Sequence, residues 1–218
     1  FEYRKATSVF REMKTMARYV TYNAKRNEYL DTAINGLNTT GTAFNNSYMH
    51  NEALELYLEA MNDFWQLSEA IPAHLNDVAM LQSNIGNHYA MNGEYGKACE
   101  ILDKALGTYR YIRKKETGGY NSDREADVYL NIGYANMCPE NFRIAAEMLR
   151  KSCRMYRNTL KTAPSDDIRA RYATALSNLG NINLHPWWPF PALPATFKSL
   201  NIRRRLVKKY PDTAELRY

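Results

Sequence analysis

The sequence lacks what would make it a membrane, disulfide-built or low-complexity chain. Across its 218 residues no window approaches the uninterrupted run of about 20 apolar residues that a membrane-spanning helix needs. The start, Phe1-Glu2-Tyr3-Arg4-Lys5, has no apolar signal core. There are three cysteines, Cys99, Cys138 and Cys153, and no CxxC pair, which speaks against a disulfide framework or a zinc ribbon and for reduced thiols in a cytoplasmic setting. With 10 Gly and 8 Pro the chain is too poor in both for a collagen-like or low-complexity segment, and 45% hydrophobic residues are too many for a disordered one. Catalytic signatures are missing as well: the sequence contains no P-loop, GxSxG, HExxH or GxGxxG. Its four histidines are scattered, none four residues from another His or a Cys. The expectation is therefore a non-enzyme with no cofactor and no metal site.

What the sequence does have is a period. Asn84-Ile85-Gly86, Asn131-Ile132-Gly133 and Asn178-Leu179-Gly180 recur 47 positions apart. Twelve residues beyond the glycines stand Ala98, Ala145 and Ala192, and nineteen beyond stand Ala105, Ser152 and Ser199. Gly41, with Ala53 and Ala60 at the same offsets, opens an earlier unit. Each unit reads as two helices. Val78, Leu81, Ile85 and Tyr89 follow helical spacing up to the turn Asn92-Gly93, and Tyr95, Ala98, Leu102, Ala105 and Tyr109 follow it again up to about Lys115. Ser122-Asp123-Arg124-Glu125 reads as a capping box for the next helix. One hairpin cannot bury its apolar face alone, so such units stack into arrays.

This pattern resembles the tetratricopeptide repeat (TPR). The resemblance is carried by Leu37, Gly41, Phe44, Ala53, Tyr57 and Ala60 in the first unit and by Ile85, Gly86, Tyr89, Gly93, Tyr95, Ala98, Leu102 and Ala105 in the second. It continues in Tyr129, Ile132, Gly133, Phe142, Ala145 and Leu149, then in Leu176, Leu179, Gly180, Ala192 and Ser199. The period exceeds the usual repeat of about 34 residues, and is similar to that of kinesin light chains and some bacterial peptide-sensing regulators. The resemblance implies an all-α superhelical array of antiparallel helix pairs. The expected division is four repeats at about 34–76, 77–121, 122–167 and 168–210. Residues 1–33 would hold the second helix of a preceding repeat and 211–218 the start of a further one, as in a fragment of a longer protein.

Charge is unevenly placed. The stretches Ile34 to Tyr48, Val78 to Asn92, Ala126 to Cys138 and Tyr172 to His185, read as the first helices, contain only Asp127 as a formal charge. The acids Asp123, Glu125 and Asp127 read as partners of a helix N-terminus. In the resembled fold the first helices line a concave groove, which here would be neutral and rich in Asn. Asn38, Asn84, Asn87, Asn131, Asn178 and Asn181, with Tyr134, are the candidate groove residues. An Asn offers two donors and an acceptor, so it can pair with both the C=O and the N–H of an extended peptide; the resemblance implies that role for Asn84, Asn131 and Asn178. The other reading is that these amides bridge neighbouring helices within the stack. Met80, Met91 and Met137 could add adaptable apolar contacts.

Two further features stand out. Residues 30–109 hold two Lys/Arg against ten Asp/Glu, whereas residues 110–218 hold twenty against ten. Such a basic half suits a solvated outer surface, an acidic protein or a nucleic acid. The segment His185-Pro186-Trp187-Trp188-Pro189-Phe190-Pro191 breaks the helix pattern of the fourth unit. Trp187, Trp188 and Phe190 are either a partner-binding loop, aromatics tucked against the core, or an irregularity in the recorded sequence.

The leading reading is a non-catalytic scaffold whose partner is a protein or peptide, with no membrane contact. The alternatives are the sensing domain of a regulator and, third, nucleic-acid contact through the basic half.

Overall fold

The computed structural model describes residues 2–17, 19, 23–47, 49–70, 74–115, 121–183 and 193–211. Among them are nine α-helices, one 3-10 turn and no strand. The helices are α1 (Glu2–Ala17), α2 (Asn23–Asn46), α3 (His50–Ala70), α4 (Leu75–Met91), α5 (Tyr95–Lys115), α6 (Ser122–Ala135), α7 (Phe142–Thr162), α8 (Asp166–Asn183) and α9 (Leu193–Lys209). The 3-10 turn, Pro139–Asn141, joins α6 to α7. The chain divides into two compact units, Phe1–Tyr120 and Asn121–Tyr218.

Within each unit every helix packs on the next, and the first helices also approach each other, α2 with α4 and α6 with α8. The glycines account for the tightness. A Cβ on Gly133 would lie 2.6 Å from Leu149 Cγ and 3.3 Å from the Ala145 carbonyl oxygen, and one on Gly41 would meet the Tyr57 ring at 3.0 Å. Gly86 stands against Leu102 and Gly180 against Thr196 in the same way, so the recurrent glycine marks where a first helix touches its own second helix. Gly93 has a different role: its φ of +78° closes the α4–α5 turn in the left-handed region that favours glycine.

The recurrent small residues do matching work. Ala53, Ala98 and Ala145 are fully buried. At the next recurrent position the Ser152 hydroxyl donates to the Ala126 carbonyl at 2.9 Å and the Ser199 hydroxyl to the Ala173 carbonyl at 2.8 Å, each tying a second helix to its first. Around these contacts the first unit buries Leu37, Phe44, Tyr57, Phe64, Leu81 and Ile85, and the second buries Leu130, Leu149, Tyr156, Tyr172, Leu176 and Ile182. Burial of such side chains contributes about 1.5–3 kcal/mol each.

Three sequence expectations need correction. The boundary at residue 33 falls inside α2, because the helical run begins at Asn23. Ser122 is the first residue of α6 and not its cap; its hydroxyl meets Thr159 Oγ1 at 3.0 Å, so no capping box forms. The first helices also begin earlier than their apolar pattern, so their opening turns bring in Asp77, Asp123, Glu125, Asp166 and Asp167. Only their later turns are charge-poor.

Candidate functional site

The candidate groove residues lie on the first helices, and Asn38 and Asn84 meet directly. Asn84 on α4 donates its amide N–H to Asn38 Oδ1 on α2 at 3.0 Å, with Asn38 buried and Asn84 half-buried. One helical turn further, half-buried Asn87 directs its Nδ2 to Met91 Sδ at 3.6 Å, and Asn45 on α2 reaches the same sulfur at 3.7 Å. Met91 is 45% exposed, so this amide–thioether group faces solvent. In the second unit Asn131 and Tyr134 stand on α6 and Asn178 and Asn181 on α8; Asn131 and Asn178 are half-buried, Tyr134 and Asn181 exposed. Met137 packs against the core there. Trp187, Trp188 and Phe190 lie outside the described residues.

Beside the first pair is a histidine cluster that the sequence pattern missed. Asn45 Oδ1 lies 3.1 Å from His50 Nδ1 and 3.4 Å from His88 Nδ1, while Asn92 Nδ2 lies 3.0 Å from His88 Nε2. With Asn92 donating, His88 carries its proton on Nδ1 and gives it to Asn45. Burial, and then the neighbouring His50, hold the His88 imidazole below its ordinary pKa. The cluster pins the end of α4 to the α2–α3 turn.

No family model matches the sequence, and no curated protein matches it either. The fold does have solved counterparts. The crystal structure of BtubC (BKLC) from P. vanneervenii is 18% identical, superposes with a TM-score of 0.68, and the match covers 97% of this chain and 77% of that one. A MamA RS-1 double mutant is 15% identical over 92% of this chain and 96% of its own, with a TM-score of 0.48. A kinesin-light-chain-type protein of Podosopora anserina with nearly identical TPR-like repeats is 14% identical over 94% of this chain and 98% of its own, at 0.45. The chain has a TPR-type fold.

In this TPR-type chain the acids at the start of α6 do something other than face a helix dipole. Arg171 on α8 reaches Asp127 at 2.6 Å and Asp123 at 3.0 Å on α6, and Asp167 on its own helix. The Tyr156 hydroxyl from α7 donates to the same Asp127 carboxylate. Burial raises the Asp127 carboxyl while Arg171 and Tyr156 pull against it, and burial together with Asp127 pushes the Tyr156 hydroxyl well up. For Arg171 burial acts downward, but Asp127, Asp167 and Asp123 outweigh it and hold the guanidinium charged. A signal was present: Arg171 stands 44 and 48 positions beyond Asp127 and Asp123, close to one repeat.

Among the described residues one group has the donors for a metal, Asp31, His74 and Asp77, whose ligand atoms lie within 4.8 Å of one another. Its closeness is already accounted for: His74 Nδ1 pairs with Asp77 Oδ2 at 3.0 Å and with Asp31 Oδ1 at 3.6 Å. Cys99 and Cys153 are half-buried, and burial pushes the Cys153 thiol up to about 12, which removes it as a nucleophile. No helix among the described residues is long and apolar enough to cross a membrane.

Proposed function

We propose that the chain is a non-catalytic interaction scaffold of four repeats, and that the later turns of its first helices bind an extended peptide segment of a partner protein through amide side chains. The observation that carries this reading is the Asn84–Asn38 pair beside the half-buried Asn87 and the exposed Met91. An amide held at one end by a neighbouring helix is oriented before a ligand arrives, so little rotamer freedom is lost on binding. The lack of formal charge on these turns favours recognition of peptide backbone over that of an acidic or basic tail. Asn131 and Asn178 occupy the corresponding positions of the later units and are assigned the same role.

The test is a peptide-display selection against the chain and against a variant with Asn84, Asn131 and Asn178 changed to Ala. The expected result is enrichment of extended peptides by the parent and a loss of about tenfold or more in their affinity for the variant, whose helix content stays unchanged by circular dichroism. Peptides that bind the variant equally well would mean that these amides serve only to bridge helices.

A further inference from the structure

Sulfur chemistry sets the end of α4 apart. Of the nine methionines two are exposed, Met16 of α1 at 62% and Met91 of α4 at 45%, and the other seven are half-buried. Exposure makes both thioethers accessible to an oxidant. Their surroundings differ. Two side-chain amides converge on the Met91 sulfur, Asn87 Nδ2 at 3.6 Å and Asn45 Nδ2 at 3.7 Å, whereas the Met16 side chain has no such partner.

The histidine cluster fixes which end of Asn45 faces the sulfur. Asn92 Nδ2 donates to His88 Nε2, so His88 Nδ1 carries the ring proton and gives it to Asn45 Oδ1. His50 Nδ1 meets the same oxygen at 3.1 Å. The N–H end of Asn45, a residue only 7% exposed, is thereby left toward Met91. Asn87 reaches the sulfur from one turn earlier on α4, by the i, i+4 relation that brings side chains of a helix together. Two donors are thus aimed at an atom that accepts hydrogen bonds weakly. A sulfoxide in the same place would offer them a polar oxygen.

We propose that Met91 is an oxidation switch of the amide groove, its sulfoxide held by Asn45 and Asn87 and the Asn87 amide thereby withdrawn from a bound peptide. The switch rests on the reading of these amides as a peptide site, but capture of the sulfoxide does not. The oxidant is hydrogen peroxide. A lone pair of the Met91 sulfur attacks one peroxide oxygen, and the S–O bond forms as the O–O bond breaks. The departing hydroxide takes the proton of the transferred hydroxyl and leaves as water. Sulfur gives up two electrons and the peroxide gains them. A methionine sulfoxide reductase returns the thioether, so the change is reversible. Oxidation also turns a flexible apolar side chain into a polar one, which removes an adaptable contact for an aliphatic residue of the peptide.

The test compares the isotope-labelled whole chain by NMR before and after treatment with hydrogen peroxide and removal of the excess, with conversion of Met91 and Met16 followed by mass spectrometry. Both methionines should be oxidised. The Nδ2 protons of Asn87 and Asn45 should move downfield and exchange with solvent about fivefold more slowly, the weight of one net hydrogen bond. Met91→Leu, treated in the same way, should show neither change. The peptide-display selection is then applied to both forms: peptides enriched by the untreated chain should bind the treated one about tenfold or more weakly. In Met91→Leu the treated and untreated forms should bind alike, whatever their common affinity. The proposal is overturned if Met91 stays a thioether while Met16 is converted, or if the two amide resonances ignore the oxidation. It is equally overturned if treated and untreated chains bind the peptides alike, or if treatment weakens Met91→Leu as much as the parent. An untreated chain that enriches no peptide removes the groove reading and the switch with it, and the amide resonances still decide the sulfoxide site.

Discussion

His88 shows how one buried side chain can make a repeat protein sensitive to pH. Its imidazole is 1% exposed and is held by Asn45 and Asn92 in a form with a single ring proton. Protonation of Nε2 would set an N–H against the Asn92 amide that now donates to it, and would do so in a site with little water. Burial, with His50 beside it, therefore depresses the folded-state pKa below the ordinary value of about 6.5 that the unfolded chain keeps. A depressed histidine contributes stability that is complete above the unfolded value and is lost as pH falls through the folded one. Urea unfolding of the chain should accordingly show a midpoint that drops between about pH 7 and about pH 5. In a His88→Gln variant that component of the slope should disappear, because an amide does not titrate in this range. A variant as steep as the parent would remove His88 as the source.

At the scale of helices, the recurrent glycine is the residue on which hairpin geometry depends, and its replacement tests that directly. Gly133→Ala places a methyl group 2.6 Å from Leu149 Cγ, and Leu149 is fully buried. The nearby Ala145 carbonyl oxygen belongs to a helix backbone and cannot yield without moving α7. Alanine favours a helix over glycine by about 1 kcal/mol, but overpacking of this kind costs about 1–3 kcal/mol, so a net loss is expected in thermal unfolding. Gly107 of α5, with nothing within 4 Å of an added Cβ, is the control: Gly107→Ala should raise stability. This same glycine register made the fold legible, because a close approach of two helices leaves a mark in sequence at a fixed interval. The capping box was misread for a local reason. Ser122 and Glu125 have the right spacing, but tertiary contacts direct the Ser122 hydroxyl to Thr159 of α7. The candidate amides could be named from their recurrence, yet their partners could not, since a hydrogen bond such as Asn84–Asn38 depends on side-chain direction across two helices. The Arg171 cluster stayed hidden because its acids also suit a helix start.

For the whole molecule, the relevant question is how far a local loss travels. In a repeat array stability is close to a sum of repeat terms and nearest-neighbour interfaces, so damage should spread to adjacent helices and fade beyond them. Arg171 is a suitable place to inflict it, because one side chain on α8 holds Asp123 and Asp127 of α6 while Asp127 also takes the Tyr156 hydroxyl of α7. Both members of the Arg171–Asp127 pair are largely buried, at 20% and 18% side-chain exposure. Arg171→Met keeps the apolar length but leaves the buried Asp127 carboxylate with only the more exposed Arg124 guanidinium, at 3.7 Å, a loss of up to about 3 kcal/mol for a buried pair broken on one side. Native-state hydrogen exchange should then show faster opening of amides in α6, α7 and α8, with those of α2 to α4 protected as in the parent. The double variant Arg171→Met with Asp127→Asn should recover part of the protection, since the poorly compensated buried charge is gone. If α2 to α4 lose protection to the same degree as α6 to α8, the chain unfolds as one cooperative body and the nearest-neighbour description fails for it.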